Sequence, residues 1–236
     1  MSTDPEEDTR ASAPALDWQR ARRPEQKAER RRAILDATLA LLDAGGVEGT
    51  TLSEIARRAG LSKANCYRYF ESREAILLEL TLVESGAWMQ AIEARLAALP
   101  DTGDVDAVTD VFVAETVTRP RLCALYGAIY SVMERNVSPD GVAAFKLAFH
   151  DRVFGSLDAL TRAVPPLTTE DAERFVLFLG FFIAGAWPSA TPAPGVAEAL
   201  ARREHRFRPR DFEETLRAHT RTVLLGLISA RTDPAG

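Results

Sequence analysis

Between Thr50 and Arg73 the chain concentrates groups that can meet a polyanion. Lys63, Asn65, Tyr67, Arg68 and Tyr69 place an ammonium, an amide, a guanidinium and two phenols within seven residues. Such donors suit phosphate oxygens and base edges, and an Asn amide can pair with adenine through two hydrogen bonds. Groups for other chemistry are sparse. There is no Gly-rich phosphate loop, nucleophile elbow, metal-ligand cluster or paired-carboxylate motif. His150, His205 and His219 are scattered without ligand spacing, and Cys66 and Cys123 give neither a disulfide framework nor a zinc pattern. The reading is therefore of a protein that is not an enzyme and needs no metal or cofactor.

These donors require a rigid support, and the local signals describe one. The basic run Arg20, Arg22, Arg23, Lys27, Arg30, Arg31, Arg32 leads into a helix whose apolar face includes Ile34, Ala37, Thr38 and Leu41, at spacings of 3 and 4. Gly45-Gly46 stops it. Thr51-Leu52-Ser53-Glu54 reads as a capping box opening a second helix. Gly60 supplies a left-handed stop, and Ser62 caps a third helix from Lys63 to about Tyr69. Ser72 caps a fourth, free of proline to Leu99. Two short helices joined through Ala59-Gly60-Leu61-Ser62 form a helix-turn-helix. Ile55, Ala56 and Ala59 supply its inward face, onto which Leu61 and Cys66 can pack.

The segment Thr50 to Leu77 resembles the DNA-binding signature of the TetR family of transcriptional regulators. Shared features are Thr before helix two, Ile55-Ala56, Ala59-Gly60 in the turn, the Ser62 cap, the Tyr67-x-x-Phe70 ending and a basic residue opening helix four. The resemblance implies an all-helical, two-fold dimer, with a variable C-terminal domain that takes a small molecule and, in most members, releases DNA. Carried onto this chain, it makes Thr51, Tyr67, Tyr69 and Arg73 phosphate contacts. Ser62 sits at the cap, and Lys63, Ala64, Asn65 and Arg68 face the groove. Asn65 stands where Thr or Ser is common, and Cys66 where a large apolar residue is usual; a small buried hydrophobe accounts for the latter.

The expected architecture is all-α. Residues 1–20 form a disordered tail, 21–72 a three-helix DNA-binding domain, and 73–236 a regulatory and dimerisation domain. Later helices are expected at about 104–118, 120–135, 138–163, 169–187 and 211–230, with a short one near 195–203. The stretch Phe175 to Gly185 is apolar all round and must be buried on every side. The resemblance places the dimer interface on the last two long helices, at Phe175, Leu179, Phe182, Leu216, Thr220, Val223 and Leu227; plain intrachain core is the rival reading of that stripe. Trp88, Met89, Phe112, Tyr126, Tyr130 and Phe149 are candidates to line an apolar ligand cavity; Tyr126, Tyr130 and His150 could orient a ligand there, with a satisfied core role the rival reading of each.

Charge supports the division. The whole chain carries −5, but Trp18 to Arg73 holds twelve Lys/Arg against seven Asp/Glu, which leaves −10 for the rest. A basic module on an acidic body is the footprint of a protein that meets phosphate at one end. The hydrophobic share of 46% and charged share of 27% fit a soluble globular chain. No apolar run reaches the ~18–20 residues of a bilayer span, and the acidic N-terminus is unlike a signal peptide. The expected setting is the cytoplasm. The expected partners are a palindromic duplex, a second copy of the chain and an apolar or aromatic effector. A ligand-independent or activating regulator, a helical enzyme or a protein-binding adaptor are the alternatives.

Overall fold

The computed structural model describes residues 15–155, 157–202 and 211–232, and among these it contains helices and no strand. Helix α1 (Ala15–Gly49) breaks at Gly46, whose φ of 65° is left-handed. Then follow α2 (Leu52–Arg58), α3 (Lys63–Cys66), α4 (Arg73–Leu96), α5 (Val105–Val117), α6 (Pro120–Ala128), α7 (Pro139–Phe154), α8 (Asp158–Ala163), α9 (Thr169–Ala190), α10 (Pro194–Arg202) and α11 (Phe212–Thr232). Of the segment expected to be a disordered tail, residues 1–14 lie outside the described residues, whereas Ala15 to Arg20 belong to α1. His205 also lies outside them.

Two cores organise these helices. A small one joins Ile34 and Leu41 of α1, Ile55 and Ala56 of α2, and Cys66, Phe70 and Ile76. A larger one surrounds α4, from Leu77 through Trp88 to Leu96, with side chains from α5 to α9 and from α11. Helix α4 therefore begins in one core and ends in the other. At ~1.5 Å per residue its 24 residues span about 36 Å. It is long and apolar enough to cross a membrane by length and composition. Its apolar side chains are nonetheless spent on the chain's own interior.

The elements depart from the sequence reading at three places. A single helix over 138–163 is replaced by α7 and α8. At Gly155 a Cβ atom would lie 2.1 Å from the Asp151 carbonyl oxygen, so the backbone closes on itself where only glycine fits. The helix expected to run to 135 is regular only to Ala128. A π-helical turn, Ile129–Met133, and a short 3₁₀ turn, Glu134–Asn136, follow it. The wider turn keeps Ile129 and Met133 buried while Tyr130 swings outward. Helix α9 continues past Pro188 to Ala190. Pro188 packs against Gly127 of α6, where a Cβ would meet its ring at 3.0 Å.

The start of α9 and the far end of α11 are pinned together through Asp171. Its carboxylate accepts from the Thr168 backbone N–H at 3.1 Å and the Thr168 hydroxyl at 2.8 Å, completing a reciprocal capping box. Arg231 Nε donates to the same oxygen at 2.8 Å. Arg231 is the main cause that lowers the Asp171 pKa from 3.8 to about 2, with the Thr168 bonds adding to it. A depressed carboxyl contributes stability above its unfolded value that is lost as pH falls through the folded one. The Arg231→Met variant is thus expected to melt below the wild type at neutral pH, with the gap closing as pH drops from about 4 to about 2. Thermal melts across pH check it; a gap independent of pH counts against it.

Candidate nucleic-acid interface

The helix-turn-helix is assembled from the small core outward. Thr51 caps α2, accepting from Glu54 N–H at 3.2 Å. Only this half of the expected capping box forms, because Glu54 turns its carboxylate to Arg57 one turn on. Ala59 and Gly60 make the turn, with Gly60 at φ 68°. Ser62 caps α3, accepting from Asn65 N–H at 3.2 Å. The α-helical part of α3 ends at Cys66, and tighter bonds such as Arg68 N–H to the Asn65 carbonyl (3.1 Å) carry the chain to Phe70. Cys66 and Phe70 point inward and are buried. Burial raises the Cys66 thiol pKa, so it is a packing residue with little thiolate character.

With those two side chains inside, the opposite face is free. Ser62, Lys63, Ala64, Asn65, Tyr67 and Arg68 are all exposed, as is Thr51 beside them. Among the described residues Lys63, Arg58 and Arg68 take part in no ion pair, whereas Arg57 is neutralised by Glu54. The Thr51 and Ser62 hydroxyls accept a backbone hydrogen and each keeps its own proton for donation. Beside Arg68 and Tyr69 runs an open groove of about 890 Å³, shared with Gln26, Lys27, Glu29 and Arg30 of α1. The cationic surface therefore continues from α3 along the first helix.

Tyr69 and Arg73 are less free than their neighbours. Tyr69 is half-buried, and its carbonyl accepts from Arg31 Nη1 at 2.9 Å. The Arg73 side chain is 21% exposed. It donates to the Thr50 carbonyl through Nη1 at 3.2 Å and to Glu74 through Nε at 3.0 Å, leaving one Nη1 hydrogen and both Nη2 hydrogens for another partner. Arg73 thus braces the start of α4 against the end of α1.

Arg31 has a role that the basic run conceals. Its guanidinium lies 4.1 Å from the centre of the Phe70 ring, bonds the Tyr69 carbonyl, and pairs with Glu79 of α4 through two donors. It clamps α1, α3 and α4 together. The signal was its place three residues before Ile34, on the buried face of α1 rather than its outer one. Glu71 was also missed. Its Oε1 accepts from Ser138 N–H at 2.9 Å and from the Ser138 hydroxyl at 3.1 Å. The sequence separation of 67 residues leaves no local trace of that contact.

The aromatic candidates divide. Tyr126, Tyr130 and Phe149 line a narrow cleft between α6, α7 and α9, with Phe154, Gly180 and Phe181 among its other walls. Trp88, Met89 and Phe112 do not line it. They are buried in the large core, where Trp88 donates to Thr116 Oγ1 at 3.2 Å and packs edge-on against Phe112 and Tyr126. The Tyr126 hydroxyl meets Ser85 at 3.0 Å, and its burial drives the phenol pKa upward. His150 is exposed, against Phe154. Among the described residues no three His, Cys, Asp or Glu side chains gather as a metal site.

The stripe expected at the dimer interface faces inward. Phe175, Leu179, Leu216, Thr220 and Leu227 are buried within the chain, and Val223 and Phe182 are half-buried, Phe182 stacked on His219 at 4.1 Å. Helix α11 lays its most apolar side on α5 and α9, so that side is intrachain core. What α9 and α11 leave outside is a second apolar set. Leu177, Phe178 and Phe181 are exposed by 40%, 40% and 49%, and Leu225 by 40%.

Comparison with known proteins agrees with this geometry. Residues 34–80 match the model for bacterial regulatory proteins of the tetR family, and residues 82–231 that for the tetracyclin repressor-like C-terminal domain. The chain belongs to the TetR family. It is similar to the HTH-type transcriptional regulator BetI of Rhizobium meliloti, 32% identical over 61% of this chain and 70% of that one. The BetI of Agrobacterium fabrum is 29% identical over 75% and 86%. The HTH-type transcriptional repressor KstR of Mycolicibacterium smegmatis matches more narrowly, 43% identical over 23% and 26%. Among solved structures, the fatty acid degradation regulator FadR of Bacillus halodurans shares the fold with a TM-score of 0.54 at 15% identity, covering 83% of this chain and 98% of that one. A TetR-family regulator of Mesorhizobium loti does so with 0.51 at 20%, covering 86% and 97%. This TetR-family chain is a DNA-binding transcriptional regulator, and the family's members typically act as dimers.

Proposed function

We propose that the chain is a repressor that binds a palindromic duplex as a two-fold dimer and releases it when an apolar or aromatic small molecule enters the cleft between α6, α7 and α9. The exposed face of α3 supplies the reading surface: Lys63, Asn65 and Arg68 reach base edges, while Thr51, Tyr67 and Tyr69 hold phosphates. Arg73 takes a bracing role first. The outer set Leu177, Phe178, Phe181 and Leu225 forms the contact between copies, since a soluble monomer gains nothing from exposing it. The repressor sign follows KstR, whose likeness covers 23% of this chain.

The observation that carries the release mechanism is the cleft itself. Its walls are almost wholly apolar, yet its free volume is only about 30 Å³, roughly one water's share of liquid. A drug-sized molecule needs ~300 Å³ or more, so entry must move a wall. Only a ligand that prefers the opened state shifts the equilibrium. A library of aromatic and aliphatic small molecules screened by thermal shift, with each hit added to a DNA-binding assay, tests this reading. Hits that bind and lower DNA affinity support it; tight binders that leave DNA affinity unchanged refute it. A hit that raises affinity makes the protein a ligand-dependent binder instead.

A further inference from the structure

The cleft and the segment joining α3 to α4 lie at opposite ends of α7. Phe149, Val153 and Phe154, near its C-terminus, form one wall of the cleft. Its N-terminus is hydrogen-bonded to the DNA-binding domain through Glu71. Glu71 lies between Phe70, buried in the small core, and Ser72, the cap of α4. Its Oε1 accepts from both the backbone N–H and the hydroxyl of Ser138, the cap of α7. The Ser138 hydroxyl in turn accepts from Gly141 N–H at 3.2 Å. A carboxylate here also meets the positive end of the helix. Glycine at 141 admits it: a Cβ there would stand 2.8 Å from Glu71 Oε1.

The rest of α7 packs along α4 but touches α9 little. Of its 16 residues only Phe145 and Val153 are buried, and Leu147 is 70% exposed. It is flanked by the irregular turns 129–136 on one side and the Gly155 break on the other. By contrast, the facing wall on α9 belongs to the large core through Phe175, Leu179 and Ile183. A molecule that opens the cleft therefore displaces α7 rather than α9, because an element with few buried contacts moves at least cost.

We infer that Glu71 is a latch that couples α7 to the helix-turn-helix, so that displacement of α7 at the cleft is passed to the segment joining α3 to α4. The inference deepens the ligand-release reading and rests on it. In the latched state, the state described here, the closed cleft and the present setting of α3 occur together. Opening the cleft pulls Ser138 from Glu71 or drags the 70–72 segment, and in either case the setting of α3 against DNA changes. The alternative route is the packing of α7 along α4, which bypasses Glu71.

A double-mutant cycle separates these routes without knowledge of the ligand. Gly180 lines the cleft, and a Cβ there would sit 3.7 Å from Tyr126, so a larger side chain at 180 grows into the cleft space. The wedge Gly180→Phe is made in the wild type and in Glu71→Ala, with Ala184→Leu as a second wedge should the first fail to fold. Affinity is measured for the duplex that the wild type enriches from random-sequence DNA, and hydrogen exchange is followed at the amides of 142–149. The wedge is expected to lower DNA affinity about tenfold in the wild type, an ordinary allosteric effect, and by about twofold or less once Glu71 is alanine. Glu71→Gln, which keeps the accepting oxygen, should restore most of the wedge's effect. Exchange at 142–149 should slow on DNA binding in the wild type and remain unchanged by DNA in Glu71→Ala. Equal wedge effects in both backgrounds overturn the latch and leave the release reading standing through α4. A folded wedge that is silent in both backgrounds overturns the release reading and the latch with it.

Discussion

Exchanging Tyr67 and Arg68 together for alanine is expected to lower affinity for the selected duplex by a hundredfold or more, while the melting temperature hardly moves. Tyr67 is 53% exposed and Arg68 lies fully on the outer face of α3. Neither side chain belongs to the small core that holds the helix-turn-helix together. Exposed substitutions of this kind usually change stability by no more than about 0.5 kcal/mol. Lost contacts to DNA are dearer. A good base contact contributes about 1–3 kcal/mol, and a dimer loses each one twice. Asn65→Ala, which leaves the phosphate contacts in place, should relax preference at one base pair per half-site and hardly change affinity for random duplexes. Titration of selected and random duplexes at fixed salt, with melts in parallel, measures both. A double variant that binds as the wild type does would remove α3 from the interface.

Phe178 and Phe181 exchanged together for aspartate are expected to yield a folded monomer. Both side chains are nearly half exposed in the single chain, so the isolated fold tolerates a charge there. In a dimer that covers them, four carboxylates would be desolvated without partners, at a cost of several kcal/mol or more. Dimer DNA binding should fall with assembly, because one copy can hold only one half-site. A charge in the inner stripe behaves otherwise. Leu216 and Leu224 are fully buried inside the chain, so aspartate at either unfolds the protomer itself. Analytical ultracentrifugation with far-ultraviolet circular dichroism distinguishes the outcomes. A double variant that stays dimeric at micromolar concentration places the interface elsewhere.

The contrast between these two faces shows what the sequence could and could not convey. Helical periodicity identifies a buried side, and Leu216, Thr220, Val223 and Leu227 are such a side. Periodicity does not name what covers it, and α5 and α9 of the same chain do so. The true outer set was hidden because α9 is apolar all round, which leaves no polar face to mark the outside. Local chemistry fared better. The Ser62 and Ser72 caps and the left-handed Gly60 depend on neighbours within three residues, and each is formed as its spacing implies. The Thr51 box was half-formed because Arg57, also local, competed for Glu54. Position 155 was legible only as a glycine inside a helical run. Val153, Leu157 and Leu160 continue the apolar spacing across it, and the break becomes necessary only once Leu157 is seated in the core.

The site was legible to the same extent. Lys63, Asn65, Tyr67 and Arg68 are exposed because Cys66 and Phe70 are drawn inward, and that alternation can be read from residue types alone. Arg31 and Glu71 could not be assigned in this way. Each looks like a solvated charge until partners 48 and 67 residues away are placed beside it. The cleft shares the difficulty. Tyr126, Tyr130 and Phe149 line it while Trp88 and Phe112 fill the core, a distinction of packing rather than residue type.

Two copies of α3 are expected to read one duplex. Footprinting on the duplex enriched from random-sequence DNA, repeated over a range of salt, tests it most directly. Two protected blocks related by a dyad are expected, their centres about one helical turn or ~34–36 Å apart. Affinity should fall steeply as salt rises, and both blocks should be lost in the Tyr67→Ala, Arg68→Ala variant. A single unpaired block, or protection that survives in that variant, would mean that two copies of α3 do not read the duplex.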